Sequence, residues 1–255
     1  MPSAQGLPSP IHRVARPLIG SDFNYLGDSS EGSYLTHPDF SPERHQLVRA
    51  FSVLERTLDR IFDDVEPCDG NKDCFSHETF SRLGRASMEV ESLLSLQLLA
   101  AGETKSRPNM GDYRRLNGVL RLSEYTVRLD IWEGIGGEFK PFAPWGTPAS
   151  SLPWWQQYNN SKHKRSTMFE EACLEAAVQA TGAALVCLFS QVAGFALEAS
   201  SSAFGYFNSD GWILGERLFS IQPPRWGDSE KYGFEMAPDH SKPLTLAAPS
   251  LDAIR

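Results

Sequence analysis

The sequence predicts a mainly α-helical protein with a small β insertion. Two long segments carry apolar side chains at helical spacing, and a third is apolar on almost every face. One short stretch of alternating apolar and polar residues predicts a β-ribbon between the helices. The chain has 255 residues, of which 41% are hydrophobic, so it is long enough to bury a sizeable core. We therefore expect a helical bundle that carries an inserted ribbon.

The first half of the chain predicts an irregular arm followed by two helices. Residues 1–40 hold scattered Pro, Gly and Ser and are expected to form an irregular N-terminal arm. The order Ser41-Pro42-Glu43 suits an N-cap, a proline at the first helical position and an acidic first turn, which predicts a helix over 42–65. A second apolar helical pattern predicts a helix over 77–101, with Gly102 as its stop.

The residue period changes after about residue 113. Leu120 and Leu122 indicate a partner strand, or an extension of the strand that follows. We place the β insertion at about 113–140. The strand itself is predicted from apolar residues that alternate with polar ones, as on a half-buried strand; these are Tyr125, Val127, Leu129 and Ile131.

The end of the chain predicts a buried helix and an extension. Thr167-Met168-Phe169-Glu170 matches a capping box, which predicts that a new helix starts there and runs to about residue 198. Because this segment has no polar face, it is the central helix of a bundle or part of a subunit interface. We assign 41–200 to the helical domain and 201–255 to an aromatic-rich C-terminal extension with a disordered end.

Composition excludes several classes of protein. The formal net charge is −8 at pH 7, so any nucleic-acid contact must use a local basic patch. The sequence predicts no signal peptide and no membrane span, and four cysteines without a secretory signal indicate a cytoplasmic protein with reduced thiols. It contains no metal-binding signature, Walker loop, Rossmann fingerprint or nucleophile elbow, so we expect no metal and no cofactor.

One run of thirteen residues concentrates the chemistry-bearing side chains, and we call it the central segment (153–165). Pro153 suits the first turn of a helix. On such a helix Asn159 and His163 lie four residues apart on one face, with Lys162 three residues after Asn159. The central segment is rich in aromatic and basic residues; its sequence is Pro-Trp-Trp-Gln-Gln-Tyr-Asn-Asn-Ser-Lys-His-Lys-Arg.

These residue types suit RNA chemistry. His163 is a candidate for proton transfer, while Lys162 and Arg165 are candidates to hold a phosphate. Trp155 and Tyr158 are candidates to stack on an unpaired base, with Lys164 as a further RNA contact. The structural alternative is that the tryptophans cap a core and that the cations form a solvated helix end.

The order of two helices, ribbon and two helices, with Trp-Trp, Tyr-Asn and Lys-His-x-Arg after a Pro-Phe-Ala-Pro-Trp loop, resembles the HEPN superfamily. These are helical-bundle proteins of prokaryotic conflict and RNA-processing systems. The resemblance covers roughly 42–200 and rests mainly on 141–165. HEPN ribonucleases carry an Arg, a polar residue that is often Asn, three variable residues and a His. Asn159 and His163 match the last two positions, but Tyr158 stands at the Arg position.

The resemblance implies a fold, an activity and partners. It implies a HEPN-like helical bundle that binds RNA, or cleaves it without a metal through a composite site of two subunits, in a stress, toxin–antitoxin or phage-defence setting. Lys162 or Arg165 would then supply the cation that Tyr158 does not, and the protein would be a homodimer through its long apolar helices. The alternative is an inactive HEPN-like module that binds a protein partner. A third alternative is a small-molecule site in the aromatic loop at 142–155.

Overall fold

The computed structural model describes residues 11–17, 34–147, 151–193, 211–214, 217–233 and 241–245. Its architecture is mainly α, as the sequence predicts, with one small sheet. The helices are α1 (Arg44–Asp59), α2 (His77–Ala100), α3 (Met110–Arg114), α4 (Asn117–Leu120), α5 (Pro153–His163), α6 (Arg165–Met168) and α7 (Leu174–Val192). The strands are β1 (Thr126–Leu129), β2 (Glu138–Phe139) and β3 (Phe219–Gln222).

Helices α1 and α2 form where the sequence predicts them. α1 is shorter than expected: it begins at Arg44, after Glu43, and the chain continues beyond Asp59 as turns. α2 begins with a capping box in which the Ser76 hydroxyl accepts the backbone N–H of Thr79 and the Thr79 hydroxyl accepts that of Ser76. Two otherwise unpaired donors are thereby satisfied, which fixes the start of the helix.

Helix α7 is the centre of the bundle. It packs against α1, α2 and α5, and every residue of it except Glu175 and Gln179 is buried. Within the described residues it is the helix long and apolar enough to cross a membrane, but 89% of its apolar window is buried inside the protein. The prediction of a buried central helix is therefore confirmed. The chain's own helices α1, α2 and α5 therefore cover this helix.

The start predicted for this last helix is wrong. The Thr167 hydroxyl does not cap a helix but donates back to the carbonyl of Lys164 at 3.3 Å. A short helix, α6, and a tight turn follow, and α7 begins only after Cys173. The predicted break between the two helices is present, and the predicted end at about 198 lies outside the described residues.

The sheet has the order β2-β1-β3 and is antiparallel throughout. The β1–β2 hairpin is the expected ribbon, with Val127 opposite Phe139. The predicted partner strand at Leu120 and Leu122 is wrong, because that stretch forms α4 and a following helical turn. Ile131 lies beyond β1 and is exposed. The second partner of β1 is β3, which comes from the C-terminal extension.

The described parts of the two terminal regions pack on each other and on the bundle. The Tyr232 hydroxyl donates to the carbonyl of Val14 at 2.8 Å and accepts the N–H of Ile11 at 3.1 Å. The backbone N–H of Leu218, just before β3, donates to the Glu55 carboxyl of α1 at 3.0 Å. Burial raises the pKa of Glu55, and the backbone N–H groups of Leu218 and Phe219 offset part of that effect. The predicted disordered end lies largely outside the described residues.

Candidate functional site

Helix α5 holds most of the central segment. It runs from Pro153 to His163 with proline at its first position, as predicted. Trp154, Tyr158 and Ser161 are buried, and their spacing of four and three places them on the face that packs against the bundle. The Trp154 indole N–H donates to the carbonyl of Pro141 at 2.9 Å. This bond joins the start of the helix to the preceding loop, with Trp154 on the buried face of α5.

One flank of α5 forms a strip of four residues, Trp155, Tyr158, Asn159 and Lys162, which we call the α5 strip. The rings of Trp155 and Tyr158 have centroids 5.3 Å apart, and the Lys162 ammonium lies 5.1 Å from the Tyr158 ring centroid. Asn159 lies beside them by helical spacing. Tyr158 is only 8% exposed, so it supports its two neighbours and offers no free ring face.

Asn159 and His163 lie one helical turn apart, as their spacing predicts. Asn159 is half-buried and His163 is exposed. No side-chain hydrogen bond joins either of them to another described residue. Their own side chains are thus not fixed to the core by hydrogen bonds. A basic residue at this last turn also complements the partial negative charge at the C-terminus of the helix.

Four consecutive residues with basic side chains form the turn between α5 and α6, and we call this run 162–165 the basic turn. All four side chains are exposed. Lys164 ends α5, and its carbonyl accepts the N–H groups of Thr167 and Met168 at 2.9 Å each. Because the backbone carries the structural role here, the Lys164 ammonium is free to meet an anion.

Arg165 turns away from the α5 strip and toward the start of α2. Its guanidinium lies 2.9 Å from His77 Nδ1 and stacks 4.7 Å from the ring centroid of Phe80 and 5.3 Å from that of Phe169. Because a guanidinium can only donate, His77 Nδ1 is the acceptor of this bond. Within one chain the Arg165 guanidinium therefore contacts His77 and two phenylalanine rings.

An aromatic cluster of Phe75, His77, Phe80 and Phe169 surrounds Arg165. The ring of Phe169 is at its centre, with centroid distances of 5.9 Å to Phe75, 5.0 Å to His77 and 5.7 Å to Phe80. Phe75 is 50% exposed, so the cluster reaches the surface. The basic turn and an accessible aromatic surface are thereby joined through one arginine.

Acidic side chains of α2 and of the turn before α7 have their own partners. The Asn160 amide donates to Glu171 at 2.8 Å, which links α5 to the turn before α7. Glu89 on α2 has Arg85 as its charged neighbour, and burial raises the pKa of its carboxyl. Glu91 lies near Tyr113.

A cleft opens at the other end of α5. Its volume is about 210 Å³, and Trp155 is one of its walls. Arg114 stands at this cleft and donates a hydrogen bond to the carbonyl of Thr147. The remaining lining residues are Met110, Gly111, Trp145, Ser151 and Leu152. The aromatic loop at 142–155 thus contributes to a real, partly apolar cleft.

A second cavity of about 420 Å³ lies away from the central segment. Its polar walls are His12, Arg13 and Asp39, and its apolar walls include Leu96 and Leu99. Burial, with the neighbouring Arg13 charge, lowers the pKa of His12. In the described part of the chain no group of three or more His, Cys, Asp or Glu side chains is placed to hold a metal ion.

No family model, curated protein or solved structure matches the chain. The class defined by the fold and the surface is a mainly α-helical protein with a basic turn and aromatic residues at one end of a bundle. The HEPN resemblance remains a prediction based on the residues quoted above.

Sequence reasoning missed several residues that complete the surface. His77 and Phe75 precede or begin α2, more than eighty residues before the basic turn, and no local pattern links them to it. Arg114 and Met110 were missed because the short helix α3, which ends just inside the region predicted to hold the β insertion, was not predicted. The Pro-rich composition of the loop containing Trp145 was the usable signal, and it supports the third alternative above.

Proposed function

We propose that the protein binds single-stranded RNA through the basic turn and the α5 strip. The observation that carries the proposal is the basic turn itself. Four consecutive basic positions are exposed in a chain of net charge −8, and one of them, Arg165, packs on an accessible aromatic cluster. A strongly local positive patch beside aromatic rings is the combination that single-stranded RNA requires, because cations track the phosphates and rings stack on bases.

The arrangement favours single strands over duplexes. Exposed ammonium groups of Lys162 and Lys164 are compact point charges that suit phosphates in varied positions. The overall acidity of the chain repels a long duplex outside the basic turn. Rings such as Phe75 are useful only when bases are unstacked and accessible. The substrate of choice is therefore an unpaired RNA segment.

Cleavage is the stronger form of the proposal. Exposed His163 would exchange a proton with the 2′-hydroxyl or the leaving oxygen, a role worth about 10² to 10⁴ in rate. Asn159 would orient the phosphate and Lys162 or Lys164 would hold its charge, because Arg165 is bound to His77. As in the HEPN composite site, a homodimer would complete the arrangement, and the setting would be a bacterial stress or defence response in the cytoplasm.

The test of binding is fluorescence polarisation with a labelled, unstructured RNA across a salt series. Lys164→Glu should raise Kd by roughly ten-fold and flatten the dependence of log K on log salt, since each lost phosphate contact removes about 0.7 from the slope for single strands. Lys140→Glu is the matched control, because Lys140 is also exposed but lies beside β2. Equal effects of both variants, or no binding by the wild type, would exclude the proposal.

The test of cleavage uses the same RNA in EDTA. Wild-type protein should leave 2′,3′-cyclic phosphate ends, and His163→Ala should lose the activity while keeping most of the binding. Light scattering should then give a mass near twice 28.3 kDa. If RNA is bound but not cleaved, the function is RNA binding alone.

A second candidate function, docking of a protein partner, is favoured by one exposed residue. Ile135 is 92% exposed on a loop that the Asp69 carboxylate holds. That carboxylate accepts the Trp132 indole N–H at 2.8 Å and the N–H groups of Ile135 at 3.0 Å and Gly136 at 2.9 Å. These bonds, the indole bond first, lower the pKa of Asp69. A fixed, exposed isoleucine suits insertion into a partner's apolar pocket.

The two candidates are separable by mutation. Ile135→Lys should abolish co-purification of a protein partner and leave RNA affinity unchanged. Lys164→Glu should weaken RNA binding and leave co-purification unchanged. The readout is quantitative mass spectrometry of the purified complexes. An isoleucine variant with an unchanged set of co-purifying proteins would remove this candidate.

A further inference from the structure

The cleft at the start of α5 is not part of the basic turn, yet the two are joined by side chains in contact. The Trp155 ring forms one wall of the cleft and packs 5.3 Å from the Tyr158 ring, centroid to centroid. Lys162 in turn lies over Tyr158. From Trp155 to His163 the helix rises about 12 Å, so the cleft and the basic turn lie at opposite ends of one short, continuous strip.

We propose that the cleft lined by Met110, Arg114, Trp145 and Trp155 takes one unpaired base of the RNA strand whose phosphates lie on the basic turn. The inference rests on the proposed function and adds to it a site for the base. Binding of phosphate alone would need only the cations. A base in the cleft explains why the α5 strip connects those cations to aromatic walls.

The size and chemistry of the cleft suit a single base. Its volume of about 210 Å³ lies below the range of about 300 to 1,000 Å³ that is common for drug-sized ligands, so it fits a ring and excludes larger molecules. Trp145 and Trp155 provide aromatic walls, and Met110 adds a polarizable thioether. The walls therefore favour a flat, polarizable group.

Arg114 gives the cleft a polar contact for the base edge or its phosphate. One of its terminal nitrogens donates to the Thr147 carbonyl, which fixes the guanidinium at the cleft. An arginine has five N–H donors, so others remain for a ligand. A planar cation held beside two indole walls matches the heteroaromatic ring and negative charge of a nucleotide.

A free mononucleotide offers the same ring chemistry as a base within RNA, and chain length separates the two sources. If the base belongs to an RNA strand, affinity should rise steeply from a mononucleotide to an octanucleotide, since only the longer ligand also reaches the basic turn. Lys164→Glu should then weaken the octanucleotide and leave the mononucleotide unchanged.

The variants act on the cleft in two different ways. Trp155→Leu removes the ring but keeps an apolar side chain in the packed position. Ser151→Trp fills the cleft from an exposed position and leaves all packed residues in place. Circular dichroism and thermal melting of both variants establish that they are folded, and Lys140→Glu is again the control.

The experiment measures Kd for an octanucleotide and for versions of it with one abasic position. Each cleft variant should raise Kd for the intact RNA by between about five-fold and about 100-fold, the range expected for one stacked base. The abasic position that weakens binding most should raise Kd of the wild type by as much as a cleft variant does. The same abasic RNA should bind Trp155→Leu almost as tightly as the intact RNA does. This loss of additivity is the signature of one base in the cleft.

Two other outcomes are distinct. If both cleft variants bind the octanucleotide as tightly as the wild type while Lys164→Glu weakens it, the proposed function stands and this inference is wrong. If the wild type binds a mononucleotide in a Trp155-dependent manner but shows no gain with length, the cleft serves a free ligand, and both the inference and RNA binding are wrong.

Discussion

Helices α5 and α7 pack against each other, but their side chains are determined by different constraints. Almost all of α7 is buried, and Gly182 illustrates how closely its neighbours approach: a Cβ there would lie 2.7 Å from the ring of Phe139. In contrast, α5 buries one face and ends in exposed cations. Packing accounts for nearly every residue of α7. It does not account for the basic turn, whose side chains are available to a ligand.

The largest effect should come from the interior of α7. Phe189 is 1% exposed and packs edge-on against Tyr125, with centroids 6.1 Å apart. Phe189→Ala should lower the free energy of unfolding by about 3–5 kcal/mol, because it removes buried surface and leaves a cavity. Gln179→Ala, on the partly exposed side of the same helix, should change it by less than about 0.5 kcal/mol. Denaturant titration measures both, and equal losses would contradict the comparison.

Two adjacent tryptophans test the same contrast within α5. Trp154→Phe should cost about 1–3 kcal/mol, since it leaves the Pro141 carbonyl without its indole donor in a buried position. Trp155→Phe should cost less than about 1 kcal/mol, because Trp155 is only partly buried and keeps a ring. Thermal unfolding of the two variants gives the difference. A larger loss at Trp155 would make that residue structural.

A charged group close to α7 should have a smaller effect that depends on pH. Burial raises the pKa of Glu89 above its ordinary value of 4.5, and the Arg85 charge offsets part of this. The fold therefore favours the protonated acid. The stability that this group contributes is full below about pH 4.5 and is lost as pH rises through the raised pKa.

Glu89→Gln cannot ionise and should not show that loss. Its melting temperature relative to the wild type should increase as pH rises from 4 to 7, with the measurement made by calorimetry in buffers of equal ionic strength. A difference that stays constant over this range would show that ionisation of Glu89 does not affect folding.

The smallest effect is expected within the basic turn. Lys162→Ala removes a cation–π contact with Tyr158 and should cost about 0.5–1 kcal/mol. Lys164→Ala removes an exposed side chain and keeps the backbone hydrogen bonds of that residue. The free energy of unfolding should change by less than about 0.5 kcal/mol. Chemical denaturation of both variants tests this order. A large loss at Lys164 would assign the turn a structural role.

The sequence predicts the fold where burial dictates the pattern. The amphipathic segment of α2 and the apolar segment of α7 are visible because helix packing demands them. The start of α7 was predicted too early because the sequence at 167–170 matches a capping box. In the structure the Thr167 hydroxyl donates to the Lys164 carbonyl instead, and a turn precedes α7. The third strand was missed because Phe219–Gln222 pairs with β1 across some ninety residues, and no local signal records such pairing.

The site was predictable only in part. The helix at Pro153 and the turn separating Asn159 from His163 follow from local spacing. The direction of Arg165 does not, because its partners His77 and Phe80 lie on α2 and are brought near by tertiary packing. Side-chain chemistry can thus be proposed from a short run, while its partners depend on the whole fold.

The pairing of β3 with β1 makes the helical bundle dependent on a distant part of the chain. A protein shortened to 41–200 would leave β1 with one open edge, and exposed strand edges promote association between chains. It would also deprive the buried Glu55 carboxyl of its backbone donor at Leu218. Boundaries chosen for expression should therefore retain Phe219–Gln222, since a trimmed helical core is expected to aggregate rather than to fold as a smaller unit.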